Sequence, residues 1–184
     1  TGTILVTCAG GGGQGGLCIT SDASNGSRKA RGGGAGGFSQ KTISVKAGDT
    51  FTVVVGAGGR NADTAPNSSV DGTTGGESTF DDATAISSIA LDSNGGVGGV
   101  ATAQSNTGTL AGGAGGTATG GDLNVAGGAG GAIIISNAST KDVATGGGSA
   151  SVYGIPFAGG AATIGGNAEA GLATASGMGA ISAT

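Results

Sequence analysis

Residues able to do covalent or acid–base chemistry are scarce in this sequence. It has no histidine, so neither a Ser-His-Asp nor a Cys-His arrangement can be assembled. The two glutamates, Glu77 and Glu169, stand far apart. Asp81 and Asp82 are neighbouring carboxylates of the type that glycosidases use, but nothing around them supports that chemistry. The glycine runs are not phosphate loops: GxxxxGK[ST] never occurs, and no run opens a plausible helix. Cys8 and Cys18 lie ten residues apart. A zinc site needs four nitrogen or sulfur ligands, which are not present. A disulfide closing the loop 9–17 and two free buried thiols both fit the spacing. Gly120-Gly121-Asp122 misses the nonapeptide pattern of calcium-binding β-rolls, and Asp122 reads as a turn cap. The sequons at Asn25, Asn67 and Asn137 are of the kind a Ser/Asn-rich chain contains by chance. The expectation is a protein that is not an enzyme and takes no cofactor and no metal.

Composition narrows the class. Glycine supplies 46 of 184 residues, against an average of about 7%. Glycine loses the most backbone entropy on folding, so such a chain is normally disordered. Here 36% of residues are hydrophobic and only 10% charged, too few charges to hold the chain open by repulsion. Close packing of bare backbone is therefore expected to stand in for a large side-chain core. The chain has no Trp, one Tyr and four Phe, and its net charge is −4. Base stacking and phosphate attraction are both disfavoured, so no nucleic-acid partner is expected. The basic cluster Arg28-Lys29-Ala30-Arg31 reads as a solvated loop face. No apolar run approaches the ~18 residues needed to cross a membrane. The start does not resemble a signal peptide, and opening at Thr1 points to a processed product or the ordered part of a longer protein.

The elements that must position any functional residue are strands. Thr1–Ala9 alternates Ile4, Val6 and Cys8 with Leu5 and Thr7, a two-residue period. Leu17-Cys18-Ile19 suggests a second short strand, and Ser21–Arg31 a polar loop. Across 42–59, TISVKAGDTFTVVVGAGG, Ile43 and Val45 face one way, Ala47-Gly48-Asp49 supplies a turn, and Phe51, Val53 and Val55 alternate after it. This reads as an antiparallel hairpin. Residues 60–77 form a turn-rich excursion, followed by weak strands at Ser78–Phe80 and Ala85–Leu91. Beyond Asp92 the chain is almost entirely small residues, broken by apolar patches at Ile133–Ile135, Val152–Phe157 and Ile164. One domain spanning 1–184 is expected, strand-rich over 1–91 and glycine-repetitive over 92–184.

The repeat GGxGG occurs at 12–16, 33–37, 95–99, 112–116 and 127–131. A polyproline II helix has three residues per turn, rises ~3.1 Å per residue and makes no internal hydrogen bonds. Side by side, such rods satisfy each other's N–H and C=O groups, with Cα–H···O contacts added, provided that glycine faces the neighbour. GGx supplies two bare faces and leaves x pointing outward. The fold class is therefore all-β, with packed polyglycine II-type segments.

The order of TILVTCAGGGGQGG, TISVKAGDTFTVVVGAGG, GGESTF, GGDLNVAGGAGG and GGGSASVYG resembles the glycine-rich domain of bacteriophage tail fibres and related virion attachment proteins. The resemblance covers most of the chain, more firmly over 1–131; at the end, GMGAISAT replaces the family's usual closing apolar strand. It implies a glycine-rich β-sandwich-like module, a rigid block of packed polyglycine helices at the virion surface, with loops at its tip contacting a host receptor, either a glycan or an outer-membrane protein. It also implies other virion proteins as partners and a homo-oligomer, possibly a trimer. The expected function is non-enzymatic host attachment. The alternatives are a purely structural capsid or tail decoration and, third, an ice-binding polyglycine bundle. That last reading requires a flat array of Thr or Ala, and the x residues Gln14, Ala35, Val97, Ala114 and Ala129 do not form a Thr array.

Apolar residues placed among polar loops are the binding candidates. Tyr153, Ile155 and Phe157, around Pro156, make the one aromatic patch of the second half. Ile133-Ile134-Ile135 follows a GGxGG run, and Asn137 and Lys141 lie just beyond. Ile134, Asn137 and Lys141 join the candidate surface, although the isoleucines also suit a small core or a contact with a sister subunit. Tyr153 and Phe157 suit a core and an interface equally, Tyr being favoured at interfaces.

Overall fold

The computed structural model describes residues 1–18, 28–60, 69–83, 89–103, 108–135, 143–144 and 162–164. The described residues contain strands and extended segments and no helix. In chain order the strands are β1 (Gly2–Ala9), β2 (Leu17–Cys18), β3 (Arg28–Ala30), β4 (Phe38–Val45), β5 (Phe51–Val54), β6 (Ser69–Val70), β7 (Ser78–Asp82) and β8 (Ala90–Ser93). They continue as β9 (Ala101–Ala103), β10 (Gly108–Leu110), β11 (Ala118–Thr119), β12 (Leu123–Val125), β13 (Ile133–Ile135), β14 (Val143–Ala144) and β15 (Ala162–Ile164).

One end of the molecule is a β-sandwich. A sheet ordered β1-β4-β12 faces a sheet ordered β11-β8-β7-β5, all pairs antiparallel. Alternation in β1 buries Val6 and Cys8, and Ile43 in β4 joins them against Leu91 of β8. Val45, Phe51, Phe80 and Ile89 pack around this cluster, with the Phe51 and Phe80 rings stacked at a 4.9 Å centroid distance.

The hairpin expected over 42–59 does not form. Its strands and its turn are present, but β4 pairs with β1 and β12 while β5 pairs with β7 in the other sheet. The turn is real. The Asp49 N–H donates to the Lys46 carbonyl at 3.2 Å, the Lys46 N–H donates to Asp49 Oδ2 at 2.9 Å, and Gly48 takes φ +94°. A hairpin would set Ile43 and Phe51 on the same uncovered face. Turning the corner into the second sheet places them on opposite walls of one core, which removes both from water.

Each sandwich strand runs on into a glycine-rich rod. The rods are rod 1 (10–16), rod 2 (31–37), rod 3 (55–60), rod 4 (71–77), rod 5 (94–100), rod 6 (111–117) and rod 7 (126–132). Their hydrogen bonds recur every third residue. Gly10, Gly13 and Gly16 donate to Gly37, Gly34 and Arg31 of rod 2, while Gly11 and Gln14 donate to Gly76 and Thr73 of rod 4. Gly96 and Gly99 of rod 5 donate back to Gly11 and Gln14. A three-residue repeat of this kind belongs to the polyproline II helix. The partners arrange the rods in two rows, 7-2-1-3 and 6-5-4, each rod of the shorter row lying over a groove of the longer. Rod 2 has rods 1, 5, 6 and 7 around it, and residues 32–37 are buried throughout. Ala35 is therefore not an outward x residue, although Gln14, Val97, Ala114 and Ala129 are exposed. Rods from both halves of the chain interleave, as when the Gly34 N–H donates to the Val97 carbonyl.

At the far end of the rods lie the small sheets β14-β3-β9, β2-β6 and β10-β13-β15. The basic cluster belongs here and is not a solvated loop: Arg28–Ala30 is a strand, and Lys29, registered with Thr102, is fully buried. Pairing on both sides of β3 encloses the lysine that the local sequence alone would leave in water.

Candidate interaction surfaces

Rod polarity sorts the connections between the two poles. At the sandwich pole lie the links 46–50 between β4 and β5, 83–89 between β7 and β8, and Gly120–Asp122 between β11 and β12. The last link is tied down by its polar side chains. Asp122 Oδ2 accepts from the Thr42 N–H at 3.1 Å, Lys41 Nζ donates to the Gly120 carbonyl at 3.0 Å, and Asn124 bonds Gly121 in both directions. Asp122 thus pins a turn, the role its sequence context suggests. At the opposite pole lie the described residues that flank 19–27, 61–68, 104–107, 136–142 and 145–161, all of them at the ends of rods or in the small strands attached to them.

Ile134 lies at that second pole, in β13, opposite Thr109 of β10 and Thr163 of β15, and is 40% exposed. Its neighbour Ile133 is fully buried, as period-two alternation requires. Tyr153, Ile155, Phe157, Asn137 and Lys141 lie outside the described residues.

A second surface was not singled out from sequence. Asp71, Thr74 and Glu77 of rod 4, Asn94, Val97 and Val100 of rod 5, and Ala111, Ala114 and Thr117 of rod 6 are all exposed. The antiparallel bonds align them in three rows, with Thr74, Val97 and Ala114 in the middle one. In the outermost, Asn94 Nδ2 donates to Thr117 Oγ1 at 3.0 Å. The three-residue spacing was the available signal, and Thr73 in place of glycine hides it in rod 4. This plane mixes two acids, an amide, two threonines, two valines and two alanines, and its threonines, Thr74 and Thr117, stand in different rows.

The chemistry-bearing groups are dispersed. Asp81 and Asp82 are adjacent in β7, so their side chains leave opposite faces of the sheet and form no carboxylate pair. Among the described residues no group of three or more His, Cys, Asp or Glu could hold a metal ion. Cys8 is a free, buried thiol. Its Sγ donates to the Ser78 carbonyl at 3.1 Å, its carbonyl accepts from Ser93 Oγ at 3.0 Å, and Ser93 Oγ lies 2.9 Å from Ser39 Oγ. Burial pushes the Cys8 thiol above its ordinary range, and Asp92, Asp81 and Glu77 add to the effect while a hydrogen bond with Ser93 opposes it. This is a structural polar seam at the junction of sandwich and rods, not a nucleophile. The side chain of Cys18 lies outside those described.

No helix of the described residues is long and apolar enough to cross a membrane. Over residues 1–184 the chain matches the family described as a glycine-rich domain, and it belongs to that family. No curated protein matches its sequence.

Proposed function

We propose that this glycine-rich domain is a non-enzymatic attachment module at a virion surface, recognising a host receptor as part of a phage tail fibre or spike. The observation that carries the reading is the sorting of the connections. Backbone-to-backbone bonding fixes the rods, and the described residues that flank 19–27, 61–68, 104–107, 136–142 and 145–161 all lie at one pole. A scaffold that is held by main-chain bonds leaves such loops free to vary in sequence. The receptor is a glycan or an outer-membrane protein; Ile134 is exposed at this pole, and Asn137, Lys141, Tyr153, Ile155 and Phe157 are the contacts proposed from the sequence. The module works as a homo-oligomer, in the trimeric arrangement that the tail-fibre resemblance implies.

The sandwich pole supports a second, structural reading. Leu5, Val53 and Val55 are 63%, 61% and 84% exposed there, apolar surface suited to docking on other virion proteins. A capsid or tail decoration would use this end alone.

Binding of the purified chain to intact bacterial cells, beside a Tyr153→Ala/Phe157→Ala variant, separates the two. Saturable binding lost in the variant supports attachment. Absence of cell binding, with co-assembly onto virion proteins that Leu5→Lys and Val53→Lys abolish, supports decoration.

A further inference from the structure

Glycine in this bundle has a packing reason almost everywhere. A Cβ on Gly10, Gly13 or Gly16 would strike rod 5 backbone at Asn94, Val97 or Val100, and one on Gly11 would strike Ala57 of rod 3. Where a rod faces water, side chains return: Thr74, Val97, Ala114 and Ala129 are all exposed. Rod 1 breaks this rule. Gly12 is exposed and Gly15 half-buried, yet a Cβ on either would come no nearer to another atom than 4.0 and 3.6 Å. Gly58 of rod 3, also exposed, would meet nothing within 4 Å. Nothing packed in the described chain demands glycine at these positions.

The hydrogen-bond lattice is open at the same place. Rod 1 presents donors in three directions, one per residue of the repeat. Gly10, Gly13 and Gly16 serve rod 2, and Gly11 and Gln14 serve rod 4. The third set, the N–H groups of Gly12 and Gly15, has no partner among the described residues, whereas the carbonyls of Gly10 and Gly13 lie against the backbone of Gly36 and Gly33 in rod 2. Rod 3 borders the opening, since the Gly59 N–H donates to the Gly12 carbonyl at 2.8 Å.

The geometry points to a docking site for one more rod: an extended, glycine-rich segment of a partner protein, in the polyproline II conformation, lying along Gly12 and Gly15 beside Gly58. The occupant is specified by continuity with the lattice. A donor every third residue fits a three-residue helix and not a β-strand, whose groups repeat every second residue. Approach at the inter-rod distance excludes a Cβ from the contact face, on rod 1 and on the partner alike. Recognition is by main chain alone, so glycine spacing and not side-chain identity selects the partner. The site lies on the flank of the bundle, and it stands whether or not the loop pole binds a receptor.

The test titrates the isotope-labelled full chain with a soluble Gly-Gly-Ser repeat peptide, following the amide resonances and hydrogen exchange of Gly12 and Gly15. A matched Ala-Ala-Ser peptide serves as control. Saturable, localised changes and slowed exchange at these two amides are expected with the glycine peptide only. Gly12→Val/Gly15→Val, whose β-carbons meet no described atom nearer than 4.0 and 3.6 Å in the free chain, is expected to fold with a melting temperature no lower than wild type and to weaken the titration at least tenfold. Gly15→Ala is a milder second variant with the same expected direction. Unperturbed amides at millimolar peptide, equal response to both peptides, or undiminished binding by the variants each overturn the proposal. Concentration-dependent protection of Gly12 and Gly15 in the free chain also overturns it, by assigning the place to a second copy.

Discussion

The N–H of Gly34 donates to the carbonyl of Val97 at 2.9 Å, and a Cβ on Gly34 would run into the carbonyl of Ala114. The centre of the bundle is thus a three-way junction of main chains from rods 2, 5 and 6, with no flexible side chain to yield. Gly34→Ala must push rod 6 away or break the bonds that join it to rods 2 and 5. The expected cost is about 4 kcal/mol or more, at the upper end for single substitutions. In a chain of this size that lowers Tm by roughly 10 °C, which differential scanning calorimetry would register. A loss within the error of the scan would show that the rods are not packed as described.

The same substitution has the opposite sign at Gly58. No atom lies within 4 Å of its added methyl, and its φ is not in the left-handed region. Gly58→Ala then acts chiefly by narrowing the unfolded ensemble and stabilises by about 0.4–1 kcal/mol. Urea unfolding of Gly34→Ala and Gly58→Ala side by side checks the contrast directly: one chemical change, two signs, decided by what faces the Cβ.

The period of the rods was legible in the sequence because GGx states which faces must be bare. Their neighbours were not. Ala35 and Val97 occupy the same position in the same motif, yet Ala35 is enclosed and Val97 faces water, since only the three-dimensional lattice makes rod 2 an inner rod. The corner at 46–49 has a similar cause. Alternation identifies the inner face of β4 at Ile43, whereas in β5 only Phe51 packs inward and Val53 of the same face is exposed; nor can the pattern tell one sheet from two facing sheets. Lys29 was misread because its burial comes from pairing with residues more than seventy positions away, in β9 and β14. Ile134 was legible as an exposed apolar residue, and the plane carrying Val97 and Ala114 was not, because its columns come from separate parts of the chain.

Ser93 is the hub of the buried seam. Its hydroxyl donates to the Cys8 carbonyl, so the proton between Ser39 and Ser93 belongs to Ser39. Ser93→Ala removes the hydroxyl that donates to the Cys8 carbonyl, takes from the buried Ser39 hydroxyl its acceptor, and costs about 2 kcal/mol. Ser39→Ala combined with it costs less than the sum of the single changes, because the second mutation removes a group already stranded. Denaturant midpoints of the four chains of this cycle provide the check, and strict additivity would separate the two serines.

Cys8 connects stability to alkaline pH. Desolvation holds its folded pKa above the ordinary 9.0, so in the folded chain the thiol keeps its proton where the unfolded chain would release it. Between those two values the folded state binds more protons, and linkage makes stability fall as pH rises. The contribution is complete below pH 9.0 and is lost progressively above it, towards the folded value. Cys8→Ala removes the titration along with the Sγ–H···O bond to Ser78. Urea unfolding of both chains at about pH 8 and about pH 10 should show wild type losing more stability over this interval than the variant, with Cys18 common to both. The same burial predicts that, in native protein, Cys8 reacts with iodoacetamide only as fast as the sandwich opens, and at once in urea. Equal pH slopes in the two chains, or fast alkylation of native Cys8, would place the thiol at the surface of the sandwich and undo the assignment of β1's inner face.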